Sequence, residues 1–216
     1  MDVQIHWTYI TPKKQEAFLV SDWVDAKKAL ALADDFEKTG RTKTVEFVDR
    51  NGTVWSKKEL QKLLEEIAGE PHEIVVYFDG GFDHETSQGG AGAVVYYKQN
   101  DHRYRLRANR RLGEIKSNNE AEYAAFWFVM QLLEELGVHH LPVTFRGDSH
   151  VVLKQLSGDW PCFEDDFNIW LDRIEAKMRE LHIEPAYEPI SRKQNKEADS
   201  LARQALEGRS SQAERN

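Results

Sequence analysis

The chain has 216 residues, 40% of them hydrophobic and 31% charged, which is ordinary for a globular protein and long enough for two domains. No apolar run approaches the roughly 20 residues that a membrane-spanning helix needs, and the N-terminus lacks the basic start and apolar core of a secretory signal. Cys162 is the single cysteine, which excludes an intrachain disulfide and favours a cytoplasmic location. The formal net charge of −8 argues against binding of nucleic acid by bulk electrostatics. Contact with a polyanion would have to be local or bridged by divalent cations.

Residues 1–69 are predicted to form a small α+β domain. Its helix over Asp25–Lys38 is expected to be capped by Ser21 or Asp22, and a second helix over Lys57–Ala68 carries Ser56 and Glu59 as a capping box. Four short runs are strand candidates, the first of them alternating between polar and apolar residues, and Asn51-Gly52 marks a hairpin between the last two. These predicted strands are Gln4–Tyr9, Ala17–Val20, Thr44–Val48 and Thr53–Trp55.

The pattern changes after Gly69–His72, the predicted domain boundary. Three strands come first, followed by helices and strands that alternate, which predicts a mixed sheet flanked by helices over residues 73–208. The polar segment 209–216 is predicted to be a disordered tail. In chain order the predicted elements are strands Glu73–Phe78, Ala91–Lys98 and His102–Leu112, helix Asn118–Leu136, strand Val143–Arg146, helices Ser149–Leu156 and Glu164–Leu181, strand Glu184–Ile190 and helix Asn195–Glu207.

Four acidic residues stand where a functional site is expected. Asp79 and Asp148 each end a predicted strand, and ligands of open α/β sheets bind beyond such ends. Glu122 and Asp199 lie in the first turns of helices, where an acid also complements the helix dipole, and Asp148 alternatively caps the next helix. Gathered together, four carboxylates would repel one another unless cations neutralise them, and oxygen ligands select Mg²⁺ or Mn²⁺.

Four segments carry a family resemblance, and they occur in the family's order. They resemble the motifs of type 1 ribonuclease H, in the archaeal and Bacillus-like branch, over residues 73–208. The resemblance implies a five-stranded mixed sheet with helices on both faces. The segments are Tyr77-Phe78-Asp79-Gly80-Gly81, Ser117-Asn118-Asn119-Glu120-Ala121-Glu122-Tyr123, Gly147-Asp148-Ser149 and Asn195-Lys196-Glu197-Ala198-Asp199-Ser200-Leu201-Ala202.

The same resemblance implies an activity and its residues. Two Mg²⁺ ions roughly 4 Å apart, with Mn²⁺ as a possible substitute, would support cleavage of the RNA strand of RNA/DNA hybrids, leaving 5′-phosphate ends. The four acids would be catalytic and hold the metal, and six further residues would contact the substrate. The metal ligands would be Asp79, Glu122, Asp148 and Asp199, and the substrate contacts Gly80, Gly81, Asn118, Asn119, His150 and Arg192. Helix capping by the two asparagines is the alternative for that pair.

Two departures keep other functions open. His150 stands where many members of the family carry Gln, and the stretch Phe163–Phe167 is acidic where the better-known bacterial branch has a basic helix. A catalytically silent ribonuclease H-like module that binds nucleic acid or protein is therefore the alternative, and a nuclease of DNA or double-stranded RNA is another. Residues 1–70 contain eleven Lys and Arg against thirteen Asp and Glu, so binding of nucleic acid, binding of protein and dimerisation all remain open for this part.

Overall fold

The computed structural model describes residues 1–215, which separate at Gly69 into two units, Met1–Gly69 and Glu70–Asn216. Each unit has a hydrophobic core of its own. Nowhere in residues 1–215 does a helix combine the length and the apolarity that a bilayer crossing requires.

The first unit is a five-stranded sheet with two helices. The strands follow the order β2-β1-β4-β5, and β3 pairs with the start of β1. The helices cover the sheet face that carries the fully buried Val3, Ile5 and Phe47. The elements are β1 (Asp2–Ile10), β2 (Glu16–Val20), β3 (Val24–Asp25), α1 (Ala26–Lys38), β4 (Thr42–Asp49), β5 (Val54–Trp55) and α2 (Lys57–Gly69).

Helix capping in this unit follows the sequence at one helix and departs from it at the other. At α2, the N–H of Ser56 donates to Glu59 Oε2 and the N–H of Glu59 donates to Ser56 Oγ, which confirms the capping box. At α1 the cap is Asp25, whose Oδ1 accepts from the N–H of Lys27, so the predicted cap at Ser21 or Asp22 is wrong. Ser21 Oγ instead accepts from the N–H of Ile5, across the sheet.

The second unit is a six-stranded mixed sheet with four helices. The strands follow the order β10-β9-β6-β7-β8-β11; the first three run parallel, and the others pair antiparallel. This confirms the mixed α/β fold. The elements are β6 (His72–Asp83), β7 (Gln88–Gln99), β8 (His102–Glu114), α3 (Asn118–Glu135), β9 (Pro142–Gly147), α4 (His150–Leu156), α5 (Asp165–Glu180), β10 (Glu184–Pro189), α6 (Lys196–Leu206) and β11 (Gln212–Arg215).

The helices lie on both faces of this sheet. A Cβ at Gly80 would meet α3, and one at Gly81 would meet α6, and consecutive strand residues point to opposite faces. Helices α4 and α5 pack on the α3 side, through Tyr123 with Gln155 and with Phe167. Helix α3 is buried almost all round because it lies between the sheet and these two helices.

The sheet has one strand more than the resemblance implies. Residues 212–215, predicted to be disordered, form β11 along the outer edge of β8, and Asn216 lies outside the described residues. The N–H of Ser211 donates to the side chain of Asn109 at 2.7 Å, which ties the segment to β8 just before the strand begins. An edge strand needs backbone partners but little apolar character, so a polar composition did not reveal it.

Candidate metal centre

The site lies where β6 and β9 part. β9 pairs with β6 only from Ile74 to Tyr77, while β7 stays paired with β6 as far as Asp83. Asp79 is therefore inside β6, two residues beyond the last pair with β9, and the prediction that it ends the strand is wrong. Asp148 directly follows β9, so the two side chains stand at the same opening in the sheet, as the strand-end argument predicted.

Gly80 brings the third carboxylate to this opening. A Cβ at Gly80 would lie 2.3 Å from the carbonyl carbon of Ala121, so only glycine lets the first turns of α3 come this close to β6. The N–H of Gly80 then donates to Glu122 Oε2 at 3.1 Å. Ser117 and Glu120 form the hydrogen bonds that begin the helix, which leaves Glu122 free to face the strand.

Glycines of β7 play the same part for α6. A Cβ at Gly92 would lie 2.1 Å from the carbonyl oxygen of Ala198, and one at Gly90 would lie 2.4 Å from that of Ala202. The first turn of α6, which carries Asp199, therefore rests directly on the sheet. The sequence interpretation missed both glycines, although small residues spaced two apart in a strand signal a close approach.

Three carboxylates form the centre of the site. Ligand oxygens of Asp79, Glu122 and Asp148 all lie within 4.8 Å of one another, and Asp79 and Glu122 are each only 7% exposed. Burial, and next the charges of Asp148 and Asp199, raise the pKa of Asp79 to about 8. Burial, followed by the charges of Asp79 and Asp148, raises the pKa of Glu122 well above its usual range. The fold thus opposes full ionisation of this group unless a cation is present.

Asn195 links two of these carboxylates; it was predicted to begin the last helix and the fourth motif, but not to belong to the site. It is 1% exposed, and its Nδ2 donates to Asp148 Oδ1 at 2.8 Å, to the Phe78 carbonyl at 2.8 Å and to Asp79 Oδ1 at 3.3 Å. It makes no side-chain capping bond to α6. The available signal was its spacing, because an Asn four residues before Asp199 lies on the same side of the helix.

Asp199 stands beside the cluster, on the wall of the same cavity. Both of its carboxylate oxygens contact the guanidinium of Arg203, at 2.8 and 2.7 Å. This ion pair engages both oxygens of Asp199, which lies outside the group of three, although its charge contributes to the raised pKa of Asp79.

The cavity has a volume of about 690 Å³ and is lined by most of the predicted site residues. All four acids, Gly80, Gly81, Asn118 and Arg192 belong to its wall. Asn119 and His150 are exposed and do not belong to it. Four basic side chains also line the cavity: Arg192, Lys193, Lys196 and Arg203. Of these, only Arg192 was predicted to belong to the site.

Comparison with known proteins agrees with this geometry. The sequence model of the reverse transcriptase-like family matches residues 77–205. The uncharacterized protein YpeP of Bacillus subtilis is 46% identical over 190 residues, which cover 88% of this chain and 84% of that protein. Ribonuclease HI of Halobacterium salinarum is 33% identical over 94 residues, which cover 42% of this chain and 44% of that protein. The crystal structure of the RNase H1 from that archaeon matches with a TM-score of 0.51 at 25% identity, covering 62% of this chain and 98% of that one.

The mixed sheet and the carboxylates at its centre define a ribonuclease H-like domain. The chain belongs to the reverse transcriptase-like family, and its predicted membership of the type 1 ribonuclease H group is confirmed.

Proposed function

We propose that this protein is a metal-dependent endoribonuclease that cleaves the RNA strand of RNA/DNA hybrids and leaves 5′-phosphate ends. The observation that carries the proposal is the group of three buried or half-buried carboxylates at the opening of the sheet. A binding module gains nothing evident from acids whose repulsion the fold must absorb, whereas a metal-dependent nuclease requires them.

The residues of the site fit divalent cations. Oxygen ligands within 4.8 Å of one another are the donor set that Mg²⁺ and Mn²⁺ prefer. Asp79, Glu122 and Asp148 would hold the ions. Asp199 would become a further ligand once its ion pair with Arg203 is broken. When bound, two such ions would activate a water for attack on the phosphodiester and stabilise the leaving 3′ oxygen. Gly80 and Asn195 keep the carboxylates in place before any ion arrives.

The cations of the cavity wall explain how an acidic chain could bind a polyanion. Arg192 is 93% exposed and lies 3.4 Å from Asp148, and Arg203 is 70% exposed beside Asp199. Lys193 and Lys196 are exposed and have no ion-pair partner among the side chains of residues 1–213, which the structure describes. These four side chains provide a local positive border around the acids, which contacts to phosphate require. A basic helix such as that of the better-known bacterial branch is not needed for this.

Preference for a hybrid rests on Asn118 and on the relatives. Asn118 is exposed at the cavity wall, where its amide is free to meet the 2′-hydroxyl that distinguishes RNA from DNA. The archaeal relative is named a ribonuclease HI. Asn119 lies beside Asn118 but outside the wall, so a contact to the neighbouring nucleotide is its proposed role.

The test is cleavage of a labelled RNA/DNA hybrid in Mg²⁺ and, separately, in Mn²⁺. We expect metal-dependent cutting of the RNA strand by the wild type, loss of cutting in Asp79→Asn, and full activity in Glu114→Gln, which removes an exposed acid at the end of β8. Matched duplexes of DNA and of RNA test the substrate class. Tight binding of the hybrid with no cutting in either metal would instead establish the silent binding module.

A further inference from the structure

Strand β2 of the first unit is exposed in an unusual way. It is the terminal strand in the order β2-β1-β4-β5, and each of its five residues is exposed. Phe18 is 64%, Leu19 42% and Val20 48% exposed. Such an edge normally carries a proline, a bulge or a charge that prevents pairing with another chain. β2 has neither proline nor bulge, and its one charge, on Glu16, is held by Lys43 at 2.6 Å.

The backbone groups at this edge follow from the pairing with β1. The N–H of Ser21 donates to the carbonyl of Ile5, and the N–H of Thr11 donates to the carbonyl of Gln15. The odd-numbered residues of this segment therefore point their backbone N–H and C=O groups toward β1. The alternate residues of β2, which are Glu16, Phe18 and Val20, point their N–H and C=O groups outward.

We propose that β2 pairs antiparallel with β2 of a second copy of this chain, about a two-fold axis at Phe18. In this register Phe18 faces Phe18 of the other copy, and Glu16 faces Val20 in both directions. All three are residues whose backbone groups point outward, so each facing pair exchanges two hydrogen bonds. The two sheets become one continuous sheet, and the contact is self-complementary, as a two-fold dimer requires.

The charges at the ends of β2 favour a second copy in this orientation. The turn before the strand carries Lys13 and Lys14, and Asp22 follows the strand; all three are exposed. None of them belongs to an ion pair among the described residues. Antiparallel pairing about Phe18 brings the lysines of each copy to Asp22 of the other, whereas parallel pairing would place like charges side by side.

The first experiment measures the mass of the full chain by sedimentation over a series of concentrations. We expect the wild type to reach twice 25.0 kDa and Phe18→Lys to remain a monomer, because a lysine on each strand at the axis repels its counterpart. Val54→Lys is the matched control. It replaces another exposed apolar residue, on the strand at the opposite edge of the same sheet, and should still dimerise. A wild type that is monomeric throughout, or a Phe18→Lys chain that dimerises like the wild type, overturns the proposal.

The second experiment tests the register and does not depend on Phe18→Lys folding. In a Cys162→Ser background, Phe18→Cys should oxidise to a covalent dimer, because residues facing each other in such a pair lie about 5.5 Å apart at Cα, within the range of a disulfide. Val20→Cys in the same background faces Glu16 and should remain reduced. Failure of Phe18→Cys to cross-link, or equal cross-linking by both variants, rules out this pairing.

Discussion

At the scale of residues, the site is governed by two buried carboxyl groups that the fold keeps close together. Asp79 and Glu122 are each 7% exposed, and Asp148 lies within reach of both. The raised pKa values of the first two are a measure of the repulsion and lost hydration that a cation would relieve. Properties of the metal-free protein should therefore report on the site before any turnover is measured.

The first prediction concerns pH. The pKa of Asp79 is raised from 3.8 to about 8 on folding, so the folded chain binds a proton here that the unfolded chain releases. The contribution of Asp79 to the free energy of unfolding is therefore greatest below about pH 4 and decreases as the pH rises toward 8. The amide introduced by Asp79→Asn does not titrate. Without metal, the stability of the variant relative to the wild type should therefore increase over this pH range, by a few kcal/mol at most.

Thermal unfolding in a chelating buffer between pH 4.5 and 8.5 measures this difference. Glu114→Gln is the control and should follow the wild type at every pH. A difference between Asp79→Asn and the wild type that stays constant with pH would contradict the raised pKa.

The second prediction concerns Asn195. Asn195→Ala removes the donor shared by Asp79 and Asp148, so their repulsion increases and the affinity for Mg²⁺ should fall by roughly tenfold or more. The shift of melting temperature with Mg²⁺ concentration measures this affinity independently of cleavage. Asn168→Ala is the control, because Asn168 also donates to a backbone carbonyl, that of Cys162, but away from the acids. Equal Mg²⁺ affinity in the two variants would show that Asn195 is merely structural.

At the scale of elements, glycines decide how closely the helices approach the sheet. The sequence predicts that Gly80 contacts the substrate, yet Gly80 lies inside β6 and admits the first turns of α3. Gly90 and Gly92 do the same for α6. The positions of Glu122 and Asp199 therefore depend on strand residues that carry no chemistry themselves.

The third prediction follows from this packing. Gly80→Ala places a Cβ against the backbone of Ala121 and Glu122, so α3 must shift, at a cost of about 1–3 kcal/mol. We expect a lower melting temperature together with loss of Mg²⁺ binding and of cleavage. Gly113→Ala is the matched control, since nothing lies within 4 Å of a Cβ there. Full activity of Gly80→Ala would show that the close approach is not what positions Glu122.

At the scale of the whole molecule, the proposed catalysis and the proposed dimerisation belong to different units. The acids, the cations of the cavity wall and the core around α3 all belong to Glu70–Asn216. The exposed strand β2 belongs to Met1–Gly69. Catalysis and dimerisation should therefore be separable by cutting the chain at Gly69.

The fourth prediction tests this separation. The fragment 70–216 retains its own core, so it should fold, cleave the hybrid at a rate close to that of the full chain, and sediment as a monomer. Circular dichroism, the cleavage assay and sedimentation measure the three properties. A folded fragment that has lost cleavage, beside a full chain that cleaves, would show that residues 1–69 take part in the reaction.

The sequence by itself determined the fold class, the order of the elements from β6 to α6 and the three acids that meet at the opening of the sheet. Periodicity and capping are local, so the long helix α3, the capping box of α2 and most of the strands were readable. The four motifs named Asp79, Glu122, Asp148 and Asp199. Their order along the chain matches the family's, so the convergence of the first three, with Asp199 beside them, could be expected without coordinates.

Only the tertiary structure decided what those residues touch. The shared donor Asn195 contacts Asp148 and Asp79, which are far from it in sequence, and the basic residues around 192–203 line a cavity with acids of distant segments. The extension of β6 past Asp79 and the pairing of β11 depend on hydrogen bonds to a neighbouring strand. Composition and periodicity are properties of one segment. They do not reveal which other segment the fold places beside it, and these contacts depend on that neighbour.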